Sequence, residues 1–172
     1  MSNVTTAYIP EASLIPRQNR IALRDRIVEV SARVDRPDIV VMDNFMSAEE
    51  CDFIIAAARS KMQRSTVMND ETGARDIHPA RTSTGAHFEP GELSIAPTIE
   101  ARIAELIRVP ASHGEPMQIL NYKVGERYLP HYDYFPPDLS GSKEHLKHGG
   151  QRVATILMYL NDVEAGGETV FP

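Results

Sequence analysis

The feature that most limits what this chain can fold into is a change of hydrophobic period near Gly114-Glu115-Pro116. Before it, apolar residues recur at helical spacing in two segments. Ser47 with Glu50 three positions later is a capping box, and Phe53, Ile54, Ala57 and Ala58 follow one helix face, which predicts a helix over 48–62. Ile95, Ile99, Ile103, Leu106 and Ile107 share a face over 94–108, with Pro110 as the stop. A helix with one apolar face packs on something flat, which here means a sheet. After the change, the runs 117–124, 128–134, 152–160 and 168–171 read as strands, separated by turns at Gly125 and Gly166-Gly167. Helices first and strands afterwards specify an α+β layout with helices backing one sheet.

Smaller elements complete the reading. Residues 1–16 form a loose arm. Ile21, Leu23, Ile27, Val28 and Val30 predict a helix over 17–34, stopped by Pro37. The β-branched run 39–42 and residues 63–68 are strands, with 81–85 a short extended piece. Residues 69–80 and 136–150 are loops, the second long enough for a substrate lid or, equally, a disordered segment. The domain division that follows is an N-terminal arm and helix at 1–37 and a catalytic-type domain at 38–172.

Charge and composition remove several function classes. The formal net charge is -6, so a partner held through phosphates, nucleic acid above all, is not expected. Cys51 is the single cysteine and lies in an apolar helical pattern, which suits a buried thiol and a reducing compartment. The N-terminus lacks the basic start and apolar core of a secretory signal, and no apolar run approaches a membrane span. The expectation is a cytoplasmic protein with no membrane partner.

The chemistry points to His131 and Asp133. In an extended strand residues i and i+2 face the same way, so this imidazole and carboxylate would form two adjacent corners of a metal site. A further histidine would complete the 2-His-1-carboxylate triad of non-heme iron(II) oxygenases. The competing reading of a bare His-x-Asp is a structural hydrogen-bonded pair. Tyr122 precedes a turn at Gly125, and an antiparallel return would bring its phenol toward the His131/Asp133 face. Strict alternation puts Tyr128 on the opposite face unless Pro130 bends the run. His78, His87 and His113 are read as solvated. His145 and His148 are loop residues and only remote candidates for a third ligand. Tyr132 and Tyr134 are read as core aromatics.

Together these stretches resemble the prolyl 4-hydroxylase family of iron(II)/2-oxoglutarate dioxygenases. The resemblance rests on residues 114–122, on Tyr122-x-x-Gly125-x-x-Tyr128-x-x-His131-x-Asp133, on residues 150–155, and on Tyr159-Leu160-Asn161-Asp162 followed by Gly166-Gly167-Glu168-Thr169-Val170-Phe171-Pro172. It implies a double-stranded β-helix, or jelly roll, backed by the N-terminal helices. It implies that His131 and Asp133 bind Fe(II), and that Tyr122 and Thr169 bind the far carboxylate of the co-substrate 2-oxoglutarate, with ascorbate a further candidate cofactor. Substrate contacts would map to Arg81, Ser83, Glu115, Gln118, Tyr128 and Arg152. The implied reaction couples decarboxylation of 2-oxoglutarate by molecular oxygen to hydroxylation of a prolyl residue in a peptide or protein. The family pattern continues past Thr-Val-Phe-Pro to a second metal histidine and a basic residue for 2-oxoglutarate, whereas this sequence stops at Pro172. The expectation is therefore an incomplete jelly roll lacking its last strands, with an exposed edge that could pair with a second copy. The alternatives carried forward are a non-catalytic peptide- or self-association module of the same fold, and a related dioxygenase acting on a small molecule.

Overall fold

The computed structural model describes residues 12–69 and 71–171, and residues 1–11 of the expected arm lie outside them. The described chain is α+β, with three α-helices and short antiparallel sheets. It divides into two compact units, one formed by the described residues up to Phe45 with Ala101–Ala111, the other by the remainder. Among the described residues no helix is long and apolar enough to cross a membrane.

The first unit is a three-stranded antiparallel sheet ordered β1 (Arg20–Ala22), β2 (Ile27–Asp35), β3 (Asp38–Asp43). The strand expected at 39–42 is β3. The helix expected over 17–34 does not form, and β1 and β2 take its place. The physical reason lies in the side chains. Ile27, Val28, Val30 and Val34 are β-branched and lose rotamer freedom in a helix. Val28 is fully buried between exposed Ile27 and Glu29, which is strand alternation. Pro37 sits in the turn joining β2 to β3, after a cis Arg36-Pro37 peptide, instead of ending a helix. The 101–111 segment adds Arg102, which is completely buried. Its guanidinium donates to both carboxylate oxygens of Asp25, Nε to Oδ1 at 3.2 Å and Nη2 to Oδ2 at 2.5 Å, and through Nη1 to the Phe45 carbonyl at 2.8 Å. The Asp25 carboxyl is held below its usual value chiefly by that hydrogen bonding.

The second unit begins with α1 (Ala48–Arg59). The capping box forms as expected: the Glu50 amide donates to Ser47 Oγ at 3.2 Å, and Glu50 Oε2 accepts from the Ser47 amide at 2.8 Å. The helix packs on the strands β7 (Thr84–His87) and β8 (Gln118–Asn121). These join β4 (Gln63–Arg64) in an antiparallel sheet with β7 at its centre. Residues 63–68 are therefore not one strand. They split into β4 and β5 (Val67–Met68), and β5 pairs with β6 (Arg75–Asp76) inside the expected loop 69–80. Gly85 lies at the centre of β7, where an added Cβ would stand 3.1 Å from Leu120 Cδ2 and 3.3 Å from the Ile119 carbonyl. The second amphipathic helix is α2 (Ala96–Ile107), with Pro97 in its first turn, where a missing N–H is tolerated.

Two expectations about the C-terminal part are corrected. The stretch 136–150 is not all loop: α3 (Ser140–Gly149) occupies most of it, and Gly150 ends it with φ +73°. Polar residues and two internal glycines hid that helix, although a glycine just past a helix end is a recognised stop. The runs 128–134, 152–160 and 168–171 form no ladder among the described residues, apart from a single bridge between Arg81 and Tyr128. A strand exists only when a neighbour accepts its hydrogen bonds, and Val153 and Leu157 accordingly stand exposed.

Candidate active site

The site is built by the return of the chain after β8. Gly125, at φ +82°, makes the turn that Lys123 and Glu126 close by mutual bonds. The chain then runs beside residues 80–82. The Thr82 amide donates to the Arg127 carbonyl at 2.8 Å, the Arg127 amide to Thr82 Oγ1 at 2.7 Å, and the Leu129 amide to the Ala80 carbonyl at 2.9 Å. Past Leu129 the chain leaves extended geometry. Pro130 has no N–H to continue a ladder, so strand parity ceases to apply. The Tyr128 and His131 rings stack at 3.7 Å between centroids, which strict alternation would forbid. The Arg81 guanidinium lies 4.8 Å from the Tyr128 ring centre, and burial pushes the Tyr128 phenol up.

His131 and Asp133 come together with their outer atoms already committed. His131 Nδ1 stands 2.9 Å from the Leu129 carbonyl oxygen, an acceptor, so Nδ1 carries the hydrogen. Nε2 then faces Asp133 Oδ1 at 3.3 Å. In the neutral imidazole, a lone pair confronts a carboxylate oxygen across that gap. Such an arrangement is satisfied by a cation between the two atoms, either a proton on Nε2 or a metal ion. Asp133 Oδ2 is occupied separately, by the Thr155 hydroxyl at 2.5 Å.

These residues fit a metal ion. Two ligand atoms bound to one divalent transition metal at roughly 2.1 Å and near a right angle stand roughly 3 Å apart. A ligating histidine characteristically donates its other N–H to a carbonyl, and ligating carboxylates are themselves hydrogen-bonded. The Leu129 carbonyl and the Thr155 hydroxyl fill those two roles here. Among the described residues no group of three or more His, Cys, Asp or Glu side chains surrounds a common point. His145 stacks on Phe135 at 5.2 Å instead of joining the pair, and the side chain of His148 lies outside the described residues.

Beside the pair, Arg152 and Glu115 engage each other. Arg152 Nε and Nη2 both reach the Glu115 carboxylate, the latter at 2.6 Å, while Nη1 donates to the Asp133 carbonyl at 3.3 Å. Arg152 also lies over the Phe135 ring at 4.4 Å, and the Glu115 bond raises its pKa further. Gln151 clamps the Phe135 backbone, accepting from its amide at 2.7 Å and donating to its carbonyl at 2.8 Å.

The other expected residues are placed differently. Ser83 is completely buried, its hydroxyl donating to Ser65 Oγ at 3.0 Å, so no surface of it is open to a substrate in this structure. Gln118 is exposed and meets His87 at 3.2 Å. Tyr122 is exposed, and Thr169 is bonded to the Tyr159 phenol at 2.8 Å. No hydrogen bond or ring contact among the described residues ties Tyr122 or Thr169 to His131 or Asp133. His87 is exposed, as expected, while partial burial, then the positive charges of Arg75, Arg81 and Lys61, hold its imidazole below the usual value. Sequence reasoning did not single out Thr155 or the Leu129 carbonyl. Thr155 read as one more residue of an apolar run, and a backbone carbonyl leaves no signature.

Comparison with known proteins defines the class first. Residues 117–172 match the model of the 2OG-Fe(II) oxygenase superfamily. Probable prolyl 4-hydroxylase 3 of Arabidopsis thaliana is 48% identical over 136 residues, which are 79% of this chain and 46% of that protein. Prolyl 4-hydroxylase 5 and prolyl 4-hydroxylase 1 of the same plant are 44% and 46% identical, covering 79% of this chain and 45% and 47% of their own lengths. Over about four-fifths of its length the chain is thus similar to plant prolyl 4-hydroxylases. It spans about half the length of the curated relatives it matches.

Proposed function

We propose that this protein hydroxylates a prolyl residue in a peptide or protein, with Fe(II) and 2-oxoglutarate. The observation that carries the reading is the pairing of His131 Nε2 with Asp133 Oδ1 at 3.3 Å, with Nδ1 and Oδ2 each held by another group. In this reading the two side chains are metal ligands. Held there by His131 and Asp133, iron would supply the oxygen activation, coupled to 2-oxoglutarate, that no side chain can supply. The Leu129 carbonyl fixes the imidazole tautomer, the Tyr128 ring fixes its plane, and Thr155 leaves Oδ1 facing inward. Both ligands remain partly open, at 40% and 44% exposure, as a site that must admit a polypeptide requires.

Tyr122 and Thr169 are proposed to hydrogen-bond the far carboxylate of 2-oxoglutarate, which requires Thr169 to exchange its Tyr159 partner. Arg81, Tyr128, Glu115 and Arg152 are proposed to line the peptide path beside the metal. Gln118 would lie at the edge of that path, and Ser83 would support it from beneath. The oxygenase domain is taken as residues 38–172 with the double-stranded β-helix of its superfamily. The packing of α1 on β7 and β8 supplies the helical backing that such a fold needs.

The test is coupled product analysis on the whole protein. Succinate release should accompany a gain of one oxygen atom by a proline-containing peptide, and His131→Ala should abolish both. Turnover that survives His131→Ala would sink the assignment.

A further inference from the structure

The sheet formed by β4, β7 and β8 carries a second polar feature, a groove of about 270 Å³. Lys61, Arg64, Arg75 and His87 line it together with Gln118, and among the described residues no carboxylate does. In a chain of net charge -6, this is a local concentration of positive charge. Two acidic groups act on it from outside. Glu92 pairs with Lys61, and Glu89 acts on His87, where it is outweighed by Arg75, Arg81 and Lys61. Arg64 donates Nη1 to the Ser83 carbonyl at 2.8 Å, a bond that leaves its charge uncompensated. Arg75 is exposed and makes no ion pair or side-chain hydrogen bond among the described residues. A guanidinium fork without a partner, beside a second arginine and an amide, matches the flat pair of oxygens of a carboxylate.

On the side of the metal pair stands another cation, Arg81, 4.8 Å from the Tyr128 ring. Arg81 lies close enough to both His87 and Tyr128 to shift each of them, and Tyr128 stacks on His131. An extended peptide with a prolyl residue at His131 and Asp133 would thus have a basic groove along its course.

We propose that this groove binds the carboxylate of an acidic residue in the peptide substrate, near the prolyl residue that is hydroxylated. The proposal rests on the prolyl hydroxylation reading and adds a substrate preference: proline-containing segments bearing Asp or Glu. Arg75 and Arg64 would supply the charge, and Gln118 a neutral donor.

The experiment measures binding, not turnover, so that it stands apart from the reaction. Fluorescence anisotropy on the whole protein compares three labelled peptides that share one proline-containing frame and differ at a flanking position: Glu, Gln or phosphoserine. The Glu peptide should bind about tenfold more tightly than the Gln peptide at low salt, as expected for charge-assisted hydrogen bonds at a partly exposed site. That advantage should shrink as sodium chloride is raised and disappear in Arg75→Gln, with the Gln peptide unaffected by the substitution. Equal affinity for Glu and Gln peptides, no binding of either, or equal weakening of both by Arg75→Gln overturns the proposal. Tighter binding of phosphoserine than of Glu reassigns the groove to phosphate and overturns it as stated. Hydroxylation of the same peptides separates the two readings. Preferential binding of Glu without oxygen gain leaves the groove and removes the prolyl reaction, whereas oxygen gain without Glu preference does the reverse.

Discussion

The buried guanidinium of Arg102 sets up the sharpest stability test. It has no exposed surface, and Asp25 supplies two of its hydrogen bonds while remaining one-third exposed. Asp25→Ala takes away a carboxylate paired with a buried charge. Breaking such a pair from one side costs about 3–5 kcal/mol. Because water can reach the vacated carboxylate position, the lower end applies, and about 3 kcal/mol is expected. Arg102→Met removes the charge itself. The Phe45 carbonyl then loses its Arg102 donor, which costs about 1–2 kcal/mol. The double substitution should match Arg102→Met alone within about 0.5 kcal/mol, since the contact left to Asp25, with Arg26 at 3.8 Å, is long. Urea unfolding at constant m-value reads all three. The pH dependence has a definite sign. The folded Asp25 carboxyl lies below its unfolded value of 3.8, so its contribution is complete above that pH and is lost as pH falls through the folded value. The wild-type loss in that range should be smaller in Asp25→Ala. If Arg102→Met destabilised more than Asp25→Ala, the buried-charge reasoning would be refuted.

Three further outcomes are expected. Thr155→Val keeps the side-chain shape but removes the 2.5 Å bond to Asp133 Oδ2, so Mn(II) affinity by calorimetry should fall about tenfold while the urea midpoint stays nearly constant. Ser47→Ala removes the side-chain acceptor of the α1 cap and should cost about 1 kcal/mol in the same unfolding assay. Gly85→Ala would press a methyl against Leu120 and the Ile119 carbonyl. It should lose about 1 kcal/mol, and Gly85→Val about 2–3 kcal/mol, because a backbone oxygen in the sheet centre cannot yield.

Much of the framework was legible in the sequence. The α1 cap follows from Ser47 and Glu50 because capping is a local exchange of hydrogen bonds between residues three apart. The face of α2 was legible for the same reason, except that one of its fully buried members is Arg102. An arginine on an apolar face is readable only once Asp25 and the Phe45 carbonyl are found near it. The strands β1 and β2 were mistaken for a helix because short β-branched runs also satisfy a helical spacing. Whether Val28 points into a core is settled by β1 and β3 on either side. α3 was missed because its apolar residues are too few to mark a period.

By itself, the sequence determined the residue types at the site and their order: His131 and Asp133, the Tyr122 to Asp133 spacing, and the resemblance that they carry. These are statements about covalent neighbours, and neighbours are what a sequence records. Only the tertiary structure decided what each atom faces. It placed Tyr128 on the His131 ring by leaving strand geometry at Pro130, and it spent Nδ1 on the Leu129 carbonyl and Oδ2 on Thr155. It also withdrew Ser83 into the sheet and gathered Arg64, Arg75 and His87 from three separate segments into one basic groove. Those choices depend on hydrogen bonds and charges between residues distant along the chain, which have no local pattern from which they could be read.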